Sequence, residues 1–266
     1  MTPCVSAHRG GAEHTAPATY AAYEDAVTTG AEYAEFDIRR TRTGELVVYH
    51  DAVVRVPAAP AARAPSARSP GASPPGAPAP GGSRRVADLS HAELCAAAGY
   101  RVPLVGDVMA LLARHGLAGH LDLKETGYEA DVIALALAAF GDPGQFVATT
   151  LEDVSVRTIK ATFPQVRTAL SLGRDLREVA AHRWLGVRAG ELAPLPRVRR
   201  CGADWVAVNY QLARLGVIRA CHRAGVGVMV WTVDGAAHVD EFLGDRRIEV
   251  LITNRPRFAV GRRAAL

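Results

Sequence analysis

The chain is short of cysteine, lysine, aromatics and long apolar runs, and each shortage removes a class of protein. Its four cysteines, Cys4, Cys95, Cys201 and Cys221, lie far apart with no Cys-x-x-Cys pair. They read as buried or free thiols, not as a disulfide framework or a zinc site. Lysine is scarce, arginine dominates the basic residues, and aromatics make up 6% of the chain. No basic stretch is interleaved with aromatics, so no nucleic-acid platform is expected. No segment approaches the ~20 apolar residues of a membrane span. The opening, MTPCVSAHRGG, has neither a basic n-region nor a long apolar run, so the expected location is cytoplasmic. The net charge of +4 implies a solvated, mildly basic surface with some pull toward anionic substrates.

What is present is ample apolar bulk, 49% of 266 residues, enough for one α/β barrel or two small domains. Apolar strand-like runs alternate with helical patterns. Strands are expected at 4–8, 33–38, 118–123, 145–149, 166–171, 204–208, 227–232 and 249–253. Helices are expected at about 17–29, 102–116, 128–140, 151–164 and 212–225, and order resumes over 86–94 with Ser90 capping a short helix. A less regular helical connection covers DLREVAAHRWLGVRAG, and AHVDEFLGD reads as a short helix. Strands alternating with helices imply right-handed parallel crossovers, and eight of them suit a closed (β/α)8 TIM barrel. One interruption stands out. Residues 57–83 hold eight of the sixteen prolines and almost no apolar bulk, so they are expected to form a disordered or extended insertion in a single domain.

The chemistry concentrates in residues 5–51. An apolar run ends in His8 and Arg9, followed by Gly10 and Gly11. The strand AEYAEFDIRR carries Glu35 and Asp37, two apart and therefore on one face. Adjacent carboxylates repel unless a cation lies between them, and a hard divalent ion takes oxygen ligands of this kind. A further run, ELVVYHD, ends in His50 and Asp51. His8 and His50 at strand ends suit acid/base chemistry. In the strand LAGHLDLKE, His120, Asp122 and Lys124 share a face, and a lysine on an inner barrel face needs a partner. Each of these features alone is more often surface or core than site; their co-occurrence points to function.

HRGG, then GAEYAEFDIRRTRTGELVVYHD, resembles the pattern of the glycerophosphodiester phosphodiesterase family, which reads HRG, a Pro-Glu-Asn-Thr helix start, GAD-x-x-E-x-D and V-x-x-HD. The resemblance continues at the far end. GVGVMVWTVD looks like the family's Gly-x-x-V-x-x-W-T-V-Asn, and VLITNRP like its G-I-x-T-D-x-P. It implies a TIM barrel, one divalent cation (Mg²⁺ or Ca²⁺) and hydrolysis of a small-molecule phosphodiester. It further implies Glu35, Asp37 and Asp122 as metal ligands, Asp122 standing where the family has a longer Glu. Arg9 and Lys124 would bind the phosphoryl oxygens and Trp231 would wall the mouth, although core packing serves equally for that tryptophan. His8 and His50 would be acid and base in an order left open, with a cyclic phosphate as a possible intermediate.

Two departures are visible. Pro17-Ala18-Thr19-Tyr20 stands in place of Pro-Glu-Asn-Thr, with Glu13 the nearby carboxylate that could compensate. Asn254 stands in place of an Asp, a small loss of charge. The altered helix start keeps two alternatives open: a phosphodiester lyase or tailoring enzyme with another substrate, and a non-catalytic barrel that binds phosphorylated ligands.

Overall fold

The computed structural model describes residues 2–55 and 82–266. The insertion expected at 57–83 lies, except for its last two residues, outside the described residues.

The chain begins with β1 (Cys4–Ala7), α1 (Tyr20–Ala26) and β2 (Tyr33–Arg40). It continues with three short strands, β3 (Leu46–Val48), β4 (Val53–Arg55) and β5 (Ser83–Arg85), then α2 (His91–Ala98) and α3 (Val105–Arg114). A regular alternation follows: β6 (Ala118–Leu123), α4 (Glu129–Phe140), β7 (Phe146–Thr150), α5 (Asp153–Thr162) and β8 (Arg167–Leu172). Next come α6 (Trp184–Leu192), α7 (Leu195–Cys201), β9 (Trp205–Asn209), α8 (Tyr210–Leu212), α9 (Ile218–Arg223) and β10 (Gly227–Trp231). The chain closes with α10 (Ala236–Leu243), β11 (Val250–Thr253) and α11 (Pro256–Arg263).

Eight strands, β1, β2 and β6–β11, pair in parallel, and β1 bonds to both β2 and β11. The sheet is therefore closed, a (β/α)8 barrel with the eight strands where the sequence pattern puts them. The run ELVVYHD is different: β3 pairs antiparallel with the end of β2, Ile38 opposite Val48, and stays outside the barrel wall. β4 and β5 form a separate antiparallel pair that brackets residues 56–82, with Arg55 opposite Ser83.

Strand alternation separates two environments. On β2, Phe36 and Ile38 point outward and are fully buried beneath the helices, each contributing roughly 1.5–3 kcal/mol. Glu35 and Asp37 point inward. Inside the barrel, Val147, Ala169, Ala207, Met229, Val250 and Ile252 fill the core beneath the polar mouth. Ser90 caps α2 as expected, in a full capping box with Glu93.

Two helices differ from the sequence reading. The 17–29 helix is only Tyr20–Ala26, because Thr19 caps it with its side-chain oxygen and Ala18 lies in the left-handed region at φ 60°. The single helix expected over 212–225 is broken: Leu215 leaves helical geometry and Gly216 reaches φ 97°, a conformation that glycine adopts without steric cost. The C-terminal helix α11 was not anticipated; Pro256 stands at its first position, where the missing N–H costs nothing.

Candidate active site

The strand ends open into a cavity of about 720 Å³ lined by His8, Arg9, Glu35, Asp37, His50, Asp122, Lys124 and Trp231, among others. All eight side chains singled out in the sequence thus face one space.

Register explains the carboxylate cluster. β2 and β6 pair with Glu35 beside His120 and Asp37 beside Asp122, while β6 and β7 place Asp122 beside Thr149. The carboxylate oxygens of Glu35, Asp37 and Asp122 come within 4.8 Å of one another. Ligand oxygens at about 2.0–2.6 Å from a hard divalent ion span up to about this distance. Lys124 lies 2.7 Å from Asp37 Oδ1 and in close contact with Asp122 Oδ2. Asp37 Oδ2 is buried without a hydrogen bond; Arg9 Nε is 2.9 Å away but out of line for one. An acceptor buried without a donor, within a three-carboxylate cluster, fits a cation ligand. The two cations leave the cluster with a formal charge of −1, from three carboxylates, Arg9 and Lys124.

The electrostatics follow from burial and crowding. Burial alone would raise the Asp37 pKa, but Lys124, Arg9 and His50 hold it down at about 2. Glu35 moves the other way: burial, then Asp37 and Asp122, push its carboxyl well above the usual range. Burial pulls on Lys124 in the opposite sense, yet Asp122, Asp37 and Glu35 together keep it charged.

The loop after β1 is a tight turn. Arg9 sits at φ 52° and donates its backbone N–H to Glu35 Oε2 at 2.8 Å. Gly10 is required here: at φ 80°, a Cβ would lie 2.8 Å from the Ala22 backbone. His8 is held by Asn254, with Nδ1 to Oδ1 at 2.7 Å, and its Nε2 lies 3.9 Å from Glu35 Oε2. Burial, then Arg9, lowers its pKa to about 4.

His50 is on the exposed rim and bonds Asp51 Oδ1 through Nδ1 at 2.6 Å. Its loop is anchored by Arg39, which donates to the His50 carbonyl at 2.9 Å and pairs with Glu125 at 2.5 Å. Trp231 does both things weighed for it: its ring packs on the inner barrel core and lines the cavity, with Nε1 donating to the Ala207 carbonyl at 3.0 Å.

Three features escaped sequence reasoning. Glu13 does not compensate for the altered helix start; its carboxylate accepts the Arg257 and Phe258 N–H groups at the start of α11. Thr149 donates to Asp122 Oδ1 at 2.7 Å and contacts the buried His120, which reaches Ser6 in turn. Asn254 is no simple loss of charge, because its Nδ2 donates to Asp234 Oδ2 at 2.7 Å. The pattern quoted above has Asn at the Asp234 position and Asp at the Asn254 position. The differences at positions 234 and 254 are therefore one exchange between hydrogen-bonded neighbours, a signal that was present in the sequence at two positions 20 residues apart.

Residues 8–104 match the model of the glycerophosphoryl diester phosphodiesterase family. The chain is 22% identical, over 96% of both sequences, to a glycerophosphodiester phosphodiesterase of Caldanaerobacter subterraneus subsp. tengcongensis. Its fold resembles that of a glycerophosphodiester phosphodiesterase from Agrobacterium tumefaciens, with a TM-score of 0.68, 21% identity and full coverage of both chains. It also resembles an Oleispira antarctica phosphodiesterase in complex with the product sn-glycerol-3-phosphate, with a TM-score of 0.69 at 15% identity, covering 98% of this chain and 96% of that one. Sequence pattern, barrel and relatives agree: residues 8–104 match the glycerophosphoryl diester phosphodiesterase family, and the chain resembles a phosphodiesterase of that name along nearly its whole length.

Proposed function

We propose that the protein is a metal-dependent phosphodiesterase that hydrolyses a glycerophosphodiester-like small molecule to an alcohol and a phosphomonoester. The observation that carries this is the meeting, in one cavity, of three carboxylates within 4.8 Å of one another, two cationic side chains and two histidines. The Oleispira relative, solved with sn-glycerol-3-phosphate, supports a phosphomonoester product. The proposal includes a cytoplasmic location; among the described residues no helix is long and apolar enough to cross a membrane.

Glu35, Asp37 and Asp122 would hold one Mg²⁺ or Ca²⁺, which supplies Lewis-acid stabilisation of charge on a phosphoryl oxygen. With the cluster at −1, a divalent ion makes it +1, matched to the single charge of a phosphodiester. Arg9 and Lys124 face the same oxygens and hold the charge that grows on them.

The histidines divide their work by their partners. The Asp234 carboxylate can only accept, so Asn254 turns its amide nitrogen toward Asp234 and its oxygen toward His8. His8 Nδ1 must then carry a proton, and in the neutral ring Nε2 keeps its lone pair on the cavity side, the tautomer of a general base. His50 Nδ1 faces the Asp51 carboxylate, which can only accept, so this nitrogen carries a proton. With His8 as the base, His50 on the cavity rim is the histidine left to protonate the leaving alcohol, and we assign it that role. Each well-placed group is worth roughly 10²–10⁴ in rate. The proton taken by His8 belongs to a neighbouring hydroxyl of the substrate or to water.

The test is ³¹P NMR of sn-glycero-3-phosphocholine turnover with Mg²⁺ or Ca²⁺, with and without chelator. A phosphomonoester resonance that disappears in chelator and returns with the ion is the expected result. A cyclic phosphate that persists as the final product would favour the lyase. Unchanged turnover in excess chelator would refute metal dependence, and no product under any condition would leave only a binding barrel.

A further inference from the structure

Residues 35, 37 and 39 share the inner face of β2, and the third of them is an arginine. Glu35 and Asp37 belong to the carboxylate cluster; Arg39 pairs elsewhere. Its side chain is 10% exposed, and its guanidinium bridges two groups. Nε donates to the His50 carbonyl at 2.9 Å, and Nη1 donates to Glu125 Oε1 at 2.5 Å. We propose that Arg39 and Glu125 form a strut that positions His50, and that both residues govern the step His50 performs by acting through it. The inference rests on the phosphodiesterase reading above and extends it to two residues which that reading does not use.

His50 needs a support because the strand before it leaves the barrel. β3 ends at Val48, outside the wall, and Asp51, Ala52 and Val53 are exposed. The Tyr49 N–H donates to the Asp37 carbonyl at 3.0 Å, and the Ala52 carbonyl accepts from the Val86 N–H at 2.9 Å. Between these two points Arg39 grips the His50 peptide itself. The partner of the imidazole is the exposed Asp51, and an exposed ion pair fixes little. The far end of the strut is anchored. The Glu125 N–H donates to the Tyr128 hydroxyl at 3.0 Å, and that buried hydroxyl donates to the Ile38 carbonyl at 2.7 Å. Ile38 precedes Arg39, so both ends of the strut are tied to the same end of β2.

Arginine is the residue such a bridge requires. Its guanidinium holds its donors in a rigid planar fork, so one side chain reaches a carbonyl and a carboxylate together; a lysine ammonium keeps the charge without the fork. Glu125 follows Lys124 directly, so successive residues beyond β6 serve the carboxylate cluster and His50. A reacting group displaced by about 1 Å can lose on the order of 10² in rate. A strut that removes this freedom acts on kcat and leaves substrate binding alone.

The test combines Arg39→Lys and Glu125→Ala with His50→Ala, on the choline and 4-nitrophenyl esters of sn-glycerol 3-phosphate. Each strut variant should keep its Tm and its KM while kcat on the choline ester falls about tenfold or more. The 4-nitrophenyl ester, whose leaving group needs little protonation, should lose less than about threefold. Glu125→Gln retains an acceptor for Nη1 and should recover most of the rate. In a His50→Ala background the strut substitutions should cost nothing further, because a support has no effect once the group it holds is gone. Relaxation of the His50 amide ¹⁵N gives a readout that needs no turnover: its order parameter should fall from roughly 0.85 toward roughly 0.6 in the strut variants. Unchanged kcat, or a loss that persists in full with His50→Ala, would overturn the proposal. An equal loss on both esters that His50→Ala absorbs would uphold the strut and make His50 the base. If the wild-type protein cleaved neither ester, the phosphodiesterase reading would fail. The relaxation measurement would still decide this inference, and an unchanged order parameter would reject it.

Discussion

The His8 imidazole is oriented by a relay of two residues, Asn254 and then Asp234, of which only the second is charged. Exchanging either alone disrupts the relay. Asn254→Asp sets two carboxylates against each other at a contact now 2.7 Å long, and Asp234→Asn removes the charge that orients the amide. Each single variant should lose about 1–3 kcal/mol. The double exchange restores one amide and one carboxylate, so urea unfolding should show a coupling of about 0.5–3 kcal/mol. Additive losses would mean that the two side chains do not act as a unit. The histidine roles have their own measurement. His50→Ala should cost several orders of magnitude in kcat/KM with an alkyl leaving group, and much less with an activated aryl group that needs little protonation. His8→Ala should be equally damaging with both. The reverse pattern would exchange acid and base.

Among the elements, β2 and β6 carry the carboxylate cluster because alternation sends their carboxylates inward while Phe36, Ile38, Leu121 and Leu123 lock the strands to the helices. Helix α2 lies away from the cavity, and its capping box is a stability device alone. Ser90→Ala leaves the Glu93 N–H without its acceptor, at a cost of about 1 kcal/mol. A thermal melt should register this as a fall of about 2–4 °C in Tm. Activity should be unchanged, and a parallel loss of kcat/KM would tie α2 to the site.

At the scale of the molecule, closure between β1 and its two neighbours holds the first and last thirds of the chain at one mouth. The hairpin of β4 and β5 stands apart from that closure and brings Arg55 opposite Ser83. Residues 57–81 can therefore be replaced by an Asn-Gly turn, which suits a two-residue hairpin. Loop closure changes by only ~0.6 kcal/mol per halving of length. Stability should stay equal or rise by on the order of 1 kcal/mol. A large fall in the urea midpoint would mean that the segment packs on the barrel.

The eight-strand alternation was legible in the sequence because strand and helix periodicity are local properties, written in residues two or four apart. The shared face of Glu35 and Asp37 was legible for the same reason, as was the Ser90 cap. Periodicity says which way a side chain points but not what stands opposite it. Only the parallel register of β2 with β6 and of β6 with β7 put Asp37 beside Asp122 and Asp122 beside Thr149. The partner of His8 is 246 positions away. No local pattern could assign its tautomer, because the donor and acceptor that decide it meet only when the barrel closes. The same holds for Glu13, whose role is taken by a helix at the other end of the chain. Local periodicity thus determines the elements and the inward-facing groups. Sheet register and closure, which depend on hydrogen bonds between distant strands, decide which of those groups become partners.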